Sequence, residues 1–336
     1  MRKRLLSCAL AAALLLTMLA GCAEPKRTKQ TVTGFYFDTV VNLTIYWKDD
    51  APLTEALQKC AYYESILSKT VEGSDVWNIN HANGERVQVS EDTRDIIEKA
   101  LEYSRLSNGA FDITIEPCVA LWDFTDKNKA VLPDEAALAA AAAKVDYTQV
   151  DVNDDGVKLG LGQTIDLGAI AKGYIADRIS DLLKEKGIKS GLLNFGGNVQ
   201  TIGNKPDGTP WNVGIQDPRG AQSDSIAVMP TTDAAVVTSG IYERGFDIDG
   251  VRYHHLLDTS TGWPIQNDLA GVSIFVSDSF DGDALSTTLF ALGEQGGLAL
   301  TEKLEGVEAM FITREDNISY TQGLEGKIVL LNTAKE

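Results

Sequence analysis

Histidine is almost absent from this 336-residue chain: there are three, His81, His254 and His255, and the last two are neighbours. Cysteine is nearly as scarce, at four. Imidazoles and thiols so few and so scattered do not make a structural zinc site, and no CxxC pair occurs. Cys60 and Cys118 stand far apart in apolar settings and read as small core residues, with one disulfide as the alternative. Basic residues are also short, 30 Lys and Arg against 48 Asp and Glu, for a net charge of −18. That excess disfavours nucleic acid and anionic membrane surfaces as partners, so a polyanionic ligand needs a local cationic feature.

The long apolar run lies at the N-terminus. Arg2, Lys3 and Arg4 precede an apolar stretch from Leu5 to Leu19, and Leu19-Ala20-Gly21-Cys22 follows. The run is shorter than the ~20 residues of a membrane span and has the layout of a secretory leader over residues 1–21. Its ending, LAGC, resembles the lipobox of bacterial lipoproteins, which makes Cys22 the expected lipid anchor and residues 22–33 a polar tether. Losing the leader removes three basic residues and no acidic one, so the mature chain is more negative still.

Residues 34–336 read as one domain. Phe35 to Trp47 alternates and is rich in β-branched and aromatic residues, which predicts a strand. Leu53, Leu57, Cys60 and Ala61 at helical spacing predict a helix over 51–68, and Ser90 caps a second that ends at Asn108-Gly109. Residues 110–117 predict a strand stopped by Pro117, and the alanine-rich 134–144 a surface helix without chemistry. A short hairpin is expected around Asn153-Asp154-Asp155-Gly156. The helix that runs to Lys186 buries Ile170, Tyr174, Ile175, Ile179, Leu182 and Leu183. Strands are expected over 191–202, 211–216, 234–239, 252–257 and 271–277, with helices over 283–292 and 297–304 and a terminal β pair. Without regular βαβ alternation this is an α+β pattern with mainly antiparallel sheet.

Four stretches combine glycine, acid and hydroxyl. DLGAIAKG (166–173) opens a helix yet puts Lys172 in its first turn, facing the positive end of the helix dipole. Free amides there can face an anion, and a phosphate would offset the lysine, which otherwise is simply solvated. In DGDALSTTLF (281–290), Asp283 and Thr287 share one helix face and offer hard oxygens suited to Mg²⁺; dipole compensation is the commoner reason for such an acid. In RYHHLLDTSTGWP (252–264), strand geometry sends His254 and His255 to opposite faces, so only one can enter a site as a general base. In SNGAFDITI (107–115), Phe111 either stacks on a planar ligand or fills core.

Together and in chain order, FDTVVNLTIY (37–46), SDVWNINH (74–81), SNGAFDITIEPCVALWDF (107–124), DLGAIAKGYIADRI (166–179), LLNFGGNV (192–199), WNVGIQDP (211–218), RYHHLLDTSTGWP (252–264) and DALSTTLFALG (283–293) resemble the ApbE family of FAD:protein FMN transferases. The resemblance runs from about Gly34 to the end and rests on eight segments in order. It implies a T-fold-like core of mainly antiparallel sheet packed with helices, plus a smaller α/β lobe. It implies an enzyme that binds FAD as substrate with Mg²⁺ and transfers FMN to a Thr or Ser hydroxyl of an acceptor FMN-binding protein or membrane redox subunit, releasing AMP. Residue by residue, it makes Asp283 and Thr287, with the Ala169 carbonyl, the metal ligands. Phe37, Thr70, Ala110, Phe111, Asp112, Asp166, Lys172 and the backbone near Leu257 become the FAD site, and His255 the base for the acceptor hydroxyl. Three positions depart from the family pattern: Phe37-Asp38-Thr39 stands where members often have Met-Gly-Thr, Thr70 where some have an aromatic ring, and Ile241 where an aspartate is common. The same residues would serve an Mg²⁺-dependent FAD pyrophosphatase, with water in place of the acceptor, or a surface lipoprotein that holds FAD without turnover. With the leader, the resemblance implies an extracytoplasmic, lipid-anchored location.

Overall fold

A computed structural model describes residues 27–124, 131–221 and 223–331; the expected leader and Cys22 lie outside the described residues. The chain opens with β1 (Thr28–Tyr36) and β2 (Thr39–Trp47), then α1 (Ala51–Leu67), α2 (Asp75–His81) and α3 (Glu91–Leu106). A 3₁₀ turn (Ile113–Ile115) runs into α4 (Glu116–Val119), followed by α5 (Glu135–Ala142), the small hairpin β3 (Asp151–Asn153) and β4 (Gly156–Lys158), and α6 (Ala171–Glu185). Seven strands come next: β5 (Gly191–Phe195), β6 (Asn198–Ile202), β7 (Trp211–Gln216), β8 (Ser225–Thr231), β9 (Ala235–Gly240), β10 (Gly245–Ile248) and β11 (Val251–His254). The chain closes with β12 (Leu269–Val276), α7 (Ser279–Thr301), β13 (Glu308–Thr313), β14 (Ile318–Tyr320) and β15 (Val329–Leu330).

The centre is an eight-stranded sheet in the order β1-β2-β5-β6-β9-β12-β13-β14, antiparallel at every pairing. Alternation along each strand separates its two faces. On β9, β12 and β13, Val237, Ile274 and Phe311 join the main core beneath α1, α6 and α7. Their neighbours Val236, Phe275, Met310 and Ile312 face the other way, onto Val213, Ile215 and Ile226 of the three-stranded sheet β15-β8-β7. A third cluster gathers Cys118, Trp122, Leu138, Phe246 and Leu257 into a smaller lobe.

Several elements differ from expectation for local reasons. The strand expected over 35–47 is a hairpin, because Phe37 and Asp38 both take φ of 56° and form a two-residue turn between Tyr36 and Thr39. The Phe37 N–H donates to Glu64 Oε1 at 2.8 Å, which ties that costly conformation to α1. Thr28 to Thr33, expected in the tether, pair with β2 as the first two-thirds of β1. The strand expected over 191–202 is likewise two strands around Gly196 and Gly197, at φ of 62° and 94°. A Cβ on Gly196 would lie 2.0 Å from Thr39 Oγ1, so the two hairpin turns sit against each other. Residues 110–117 form no strand: Asp112 caps a 3₁₀ turn by accepting from the Thr114 N–H, and Pro117 suits the first turn of α4. The alanine-rich helix α5 is less idle than expected, since its buried Leu138 packs in the third cluster, and the Trp122 indole there donates to the Gly262 carbonyl at 3.0 Å. The loop following His255 is thereby held to the smaller lobe. Cys60 and Cys118 are both buried and free, as core thiols rather than a disulfide.

Candidate active site

The site is built where α6 crosses α7. A Cβ on Gly173 would lie 2.2 Å from the Ser279 carbonyl oxygen and 2.8 Å from Asp283 Cβ, so only glycine lets the helices approach this closely. Ile170 starts α6 with no side-chain cap. The capping comes from the other helix: the Gly173 N–H donates to Asp283 Oδ2 at 2.9 Å. That amide is one of those the start of a helix leaves without an intrahelical partner. Asp283, 4% exposed, thus supplies the negative charge that the N-terminus of α6 favours.

Lys172 is explained by the same crossing. Its ammonium donates to the Gly168 carbonyl at 2.8 Å and lies 3.7 Å from Asp283 Oδ1. One turn along α7, the Thr287 hydroxyl is 3.4 Å from Ser239 Oγ on β9. Asp283 Oδ1, Thr287 Oγ1 and the carbonyls of the Gly168-Ala169 turn are all hard oxygens, the donor chemistry Mg²⁺ takes. Among the described residues no three or more His, Cys, Asp or Glu gather as a cage, so a cation held here would need hydroxyl, carbonyl and substrate oxygens besides one carboxylate.

The histidine pair divides as strand geometry requires. His254 is fully buried, edge-on to Phe290 at 5.9 Å, with no hydrogen-bond partner on either ring nitrogen. His255 is half-buried; its backbone N–H donates to the Arg244 carbonyl at 3.2 Å, and its Nδ1 lies 3.3 Å from the same oxygen. A carbonyl only accepts, so that contact puts the proton on Nδ1 and leaves Nε2 with a free lone pair. Burial, then the positive charge of Arg244 and more weakly Lys172, pushes the His255 imidazolium down to about 3.

Other predicted positions are joined by backbone threads. The Asp166 N–H donates to the Ile113 carbonyl at 2.8 Å, and the Thr259 hydroxyl to the Gly109 carbonyl at 2.7 Å, so residues 109–113 bridge the 166–172 turn and the loop after His255. Phe111 is 2% exposed and edge-on to Tyr103, which settles it as core. Asp112 is turned inward as well: one oxygen takes the Thr114 amide and hydroxyl, the other the Tyr147 N–H at 2.9 Å. Burial raises its carboxyl against the pull of those bonds. Of residues 110–112 only Ala110 is half-buried; Phe111 and Asp112 are buried. Leu257 is buried in the third cluster and bridges to Pro264. Thr70 bonds to Ser68, and Phe37 sits at the hairpin turn, where Arg244 reaches the Asp38 carbonyl at 3.4 Å.

Sequence reading passed over Lys69, Glu116, Glu243 and Arg244. Glu243 is exposed, and Lys172, Arg244 and Asp283 are the charged groups that bear on it. Arg244 also bears electrostatically on Asp166 and His255; it stands in SGIYERG, a segment the sequence marked only for the departure at Ile241. Its signal is only that an acidic chain places a cation next to a strand end.

Known proteins share both the sequence and the fold of this chain. The model of the ApbE family matches residues 37–311. A FAD:protein FMN transferase of Klebsiella pneumoniae (strain 342) is 36% identical over 280 residues, covering 82% of this chain and 86% of the relative. Another of Treponema pallidum (strain Nichols) is 36% identical over 300 residues, covering 84% and 82%. Among solved structures, the ApbE protein of Thermotoga maritima superposes with a TM-score of 0.82 at 30% identity, over 89% of this chain and 99% of that one. The flavin transferase ApbE of Vibrio cholerae gives 0.78 at 26% identity, over 88% and 97%. With the family model spanning most of the described chain and the relatives matched over most of their own length, the chain belongs to the ApbE family.

Proposed function

We propose that the protein is a FAD:protein FMN transferase that moves FMN from FAD to a Thr or Ser hydroxyl of another protein and releases AMP. The observation that carries this is the crossing itself, where Lys172, Asp283 and the 166–172 turn meet and from which the charge of Lys172 reaches His255. In the transfer, the acceptor oxygen forms a bond to the FMN phosphorus, the bond from that phosphorus to the AMP oxygen breaks, and a phosphodiester joins flavin to acceptor. Phosphoryl transfer is mostly positioning and charge neutralisation, so the chain's part is to hold the diphosphate and take one proton. Lys172 supplies positive charge beside the diphosphate, and its bond to the Gly168 carbonyl aims the ammonium along the turn. His255 Nε2 takes the proton of the acceptor hydroxyl as the oxygen attacks. Arg244 orients that ring through its carbonyl and keeps it neutral through its guanidinium. When bound at Asp283, Thr287 and the Ala169 carbonyl, Mg²⁺ would neutralise phosphate charge as a Lewis acid.

The acceptor would be an FMN-binding protein or membrane redox subunit outside the cytoplasm. That fits the leader and LAGC motif, which would leave the enzyme anchored to the membrane by lipid on Cys22. Incubating the form that begins after Cys22 with FAD, Mg²⁺ and an FMN-binding acceptor domain tests the reading. It predicts AMP release together with flavin fluorescence that stays on the acceptor in a denaturing gel, lost with chelator or when the acceptor threonine becomes valine. AMP and free FMN without labelling of any acceptor would make the protein a pyrophosphatase instead.

A further inference from the structure

Lys69 lies in the turn that leaves α1, outside every residue given a role above. Its ammonium is 2.8 Å from Asp166 Oδ2 and 3.6 Å from Glu116 Oε1, and the three side chains are only 27%, 22% and 16% exposed. The other Glu116 oxygen takes the Thr164 hydroxyl. Asp166 Oδ1 takes the Gly168 N–H at 2.7 Å. One ammonium thus ties together the end of α1, the start of α4 and the 164–168 segment. Partial burial works against charge on Lys69, but Asp166 and Glu116 outweigh it and hold the ammonium protonated. The pairing acts in return on Asp166, which stays ionised although burial alone would raise it.

The 166–172 turn follows directly. It presents the Gly168 carbonyl to Lys172, with Ala169 next in the turn. An unpaired carboxylate at residue 166 would repel a diphosphate entering beside Lys172, and its side chain would be free to turn away from Gly168. We propose that Lys69 is a positioning residue of the FAD site: it clamps Asp166 between its ammonium and the Gly168 amide, and so fixes the 166–172 turn while offsetting charge that opposes the diphosphate. This inference rests on the FAD reading above.

The test is FAD affinity, read as quenching of flavin fluorescence on the whole mature protein without metal or acceptor, beside KM and kcat in the transfer assay. Lys69→Met is expected to weaken FAD by about tenfold or more, the size of one lost charge-assisted hydrogen bond. KM for FAD should rise in proportion, with kcat unchanged within about threefold, since the chemistry lies at other residues. Lys69→Arg should restore most of the affinity, because a guanidinium also reaches two carboxylates. In an Asp166→Asn background, Lys69→Met should cost less than about twofold, since the two residues act as one unit. Unchanged FAD affinity in a Lys69→Met protein whose melting temperature falls would make Lys69 a structural ion pair and overturn the proposal. Full additivity with Asp166→Asn would overturn it as well. A wild-type protein that binds no FAD overturns the functional reading itself, a result distinct from both.

Discussion

A histidine works as a base only while it is neutral and its free nitrogen faces the substrate, and the two adjacent histidines separate on the second condition. His254 is sealed against Phe290, whereas His255 is half-buried with its Nδ1 held by the Arg244 carbonyl. His255→Ala should therefore lower kcat by roughly 10²–10⁴-fold, the usual worth of a general base. His254→Ala should act on stability, leaving a cavity that costs on the order of 1–3 kcal/mol, with activity per folded molecule largely retained; equal activity losses in the two variants would remove the case for His255. The pH dependence adds a second check. A depressed imidazole stays unprotonated through the mildly acidic range, so the acid limb of kcat/KM for the free enzyme should fall well below the ordinary histidine value of ~6.5. Lys172→Met, although much slower, removes one of the cations that depress His255 and should move that limb upward. Asp283→Ala should abolish Mg²⁺-dependent turnover, and because Asp283 also caps α6 it should cost ~1–2 kcal/mol of stability. At this scale only Lys172 stood out as odd for its local setting; Asp283 had an ordinary reading in the first turn of its helix, and the choice of His255 over His254 came with the family resemblance. Core was one of two readings open for Phe111, and the inward turn of Asp112 was not legible, because the direction of a side chain just before a short 3₁₀ turn follows from what packs on it.

At the scale of elements, the site depends on how α6 and α7 are locked, and Asp177 is the lock. Its Oδ1 takes the Gln200 amide at 2.7 Å and the Ser279 N–H at 3.1 Å, and its Oδ2 takes the Phe280 N–H at 2.8 Å. Asp278, the N-cap of α7, reaches for the same Phe280 N–H at 3.0 Å, so two carboxyl groups share the start of the helix that carries Asp283 and Thr287. Burial first, and then the neighbouring Asp278, raises the Asp177 carboxyl. The native state therefore holds a proton that the unfolded chain releases at lower pH, and stability falls as pH rises above the ordinary carboxylate range near ~4. Asp177→Asn keeps the acceptor oxygen and removes the titration. Its melting temperature should decline less than that of wild type between about pH 5 and 8, and parallel curves would show that Asp177 does not hold the proton. Sequence pattern found both helices and even the break before 297, which is Gly293 at φ 71° within α7. It could not find their crossing, because the close approach at Gly173 depends on residues 110 positions apart.

At the scale of the whole molecule, the α+β character and the antiparallel sheet were readable from strand spacing and the absence of βαβ alternation. Hairpins were the main loss. Phe37-Asp38 carries no Asn-Gly or Gly signal, and its turn exists because Glu64 binds the Phe37 amide from α1. The same gap hid the start of the domain, where a polar, basic stretch looked like a tether and proves to be an edge strand. Thr31 and Thr44 hydroxyls pair across it at 3.0 Å, and the Thr33 hydroxyl donates to Asn42 Oδ1 at 2.7 Å. Such cross-strand pairs are what stabilises an edge, and polar side chains keep it from pairing with other chains. Two truncations separate the readings. A protein starting at Arg27 retains all of β1 and should melt with the longer mature form. One starting at Gly34 loses the pairs from Thr28–Trp47 through Thr33–Asn42, exposes the edge of β2, and should melt lower by roughly 2–5 °C and aggregate more readily. Equal melting of the two would return residues 28–33 to the tether; a lower melt of the shorter form would place the start of the folded domain before the Phe37 turn.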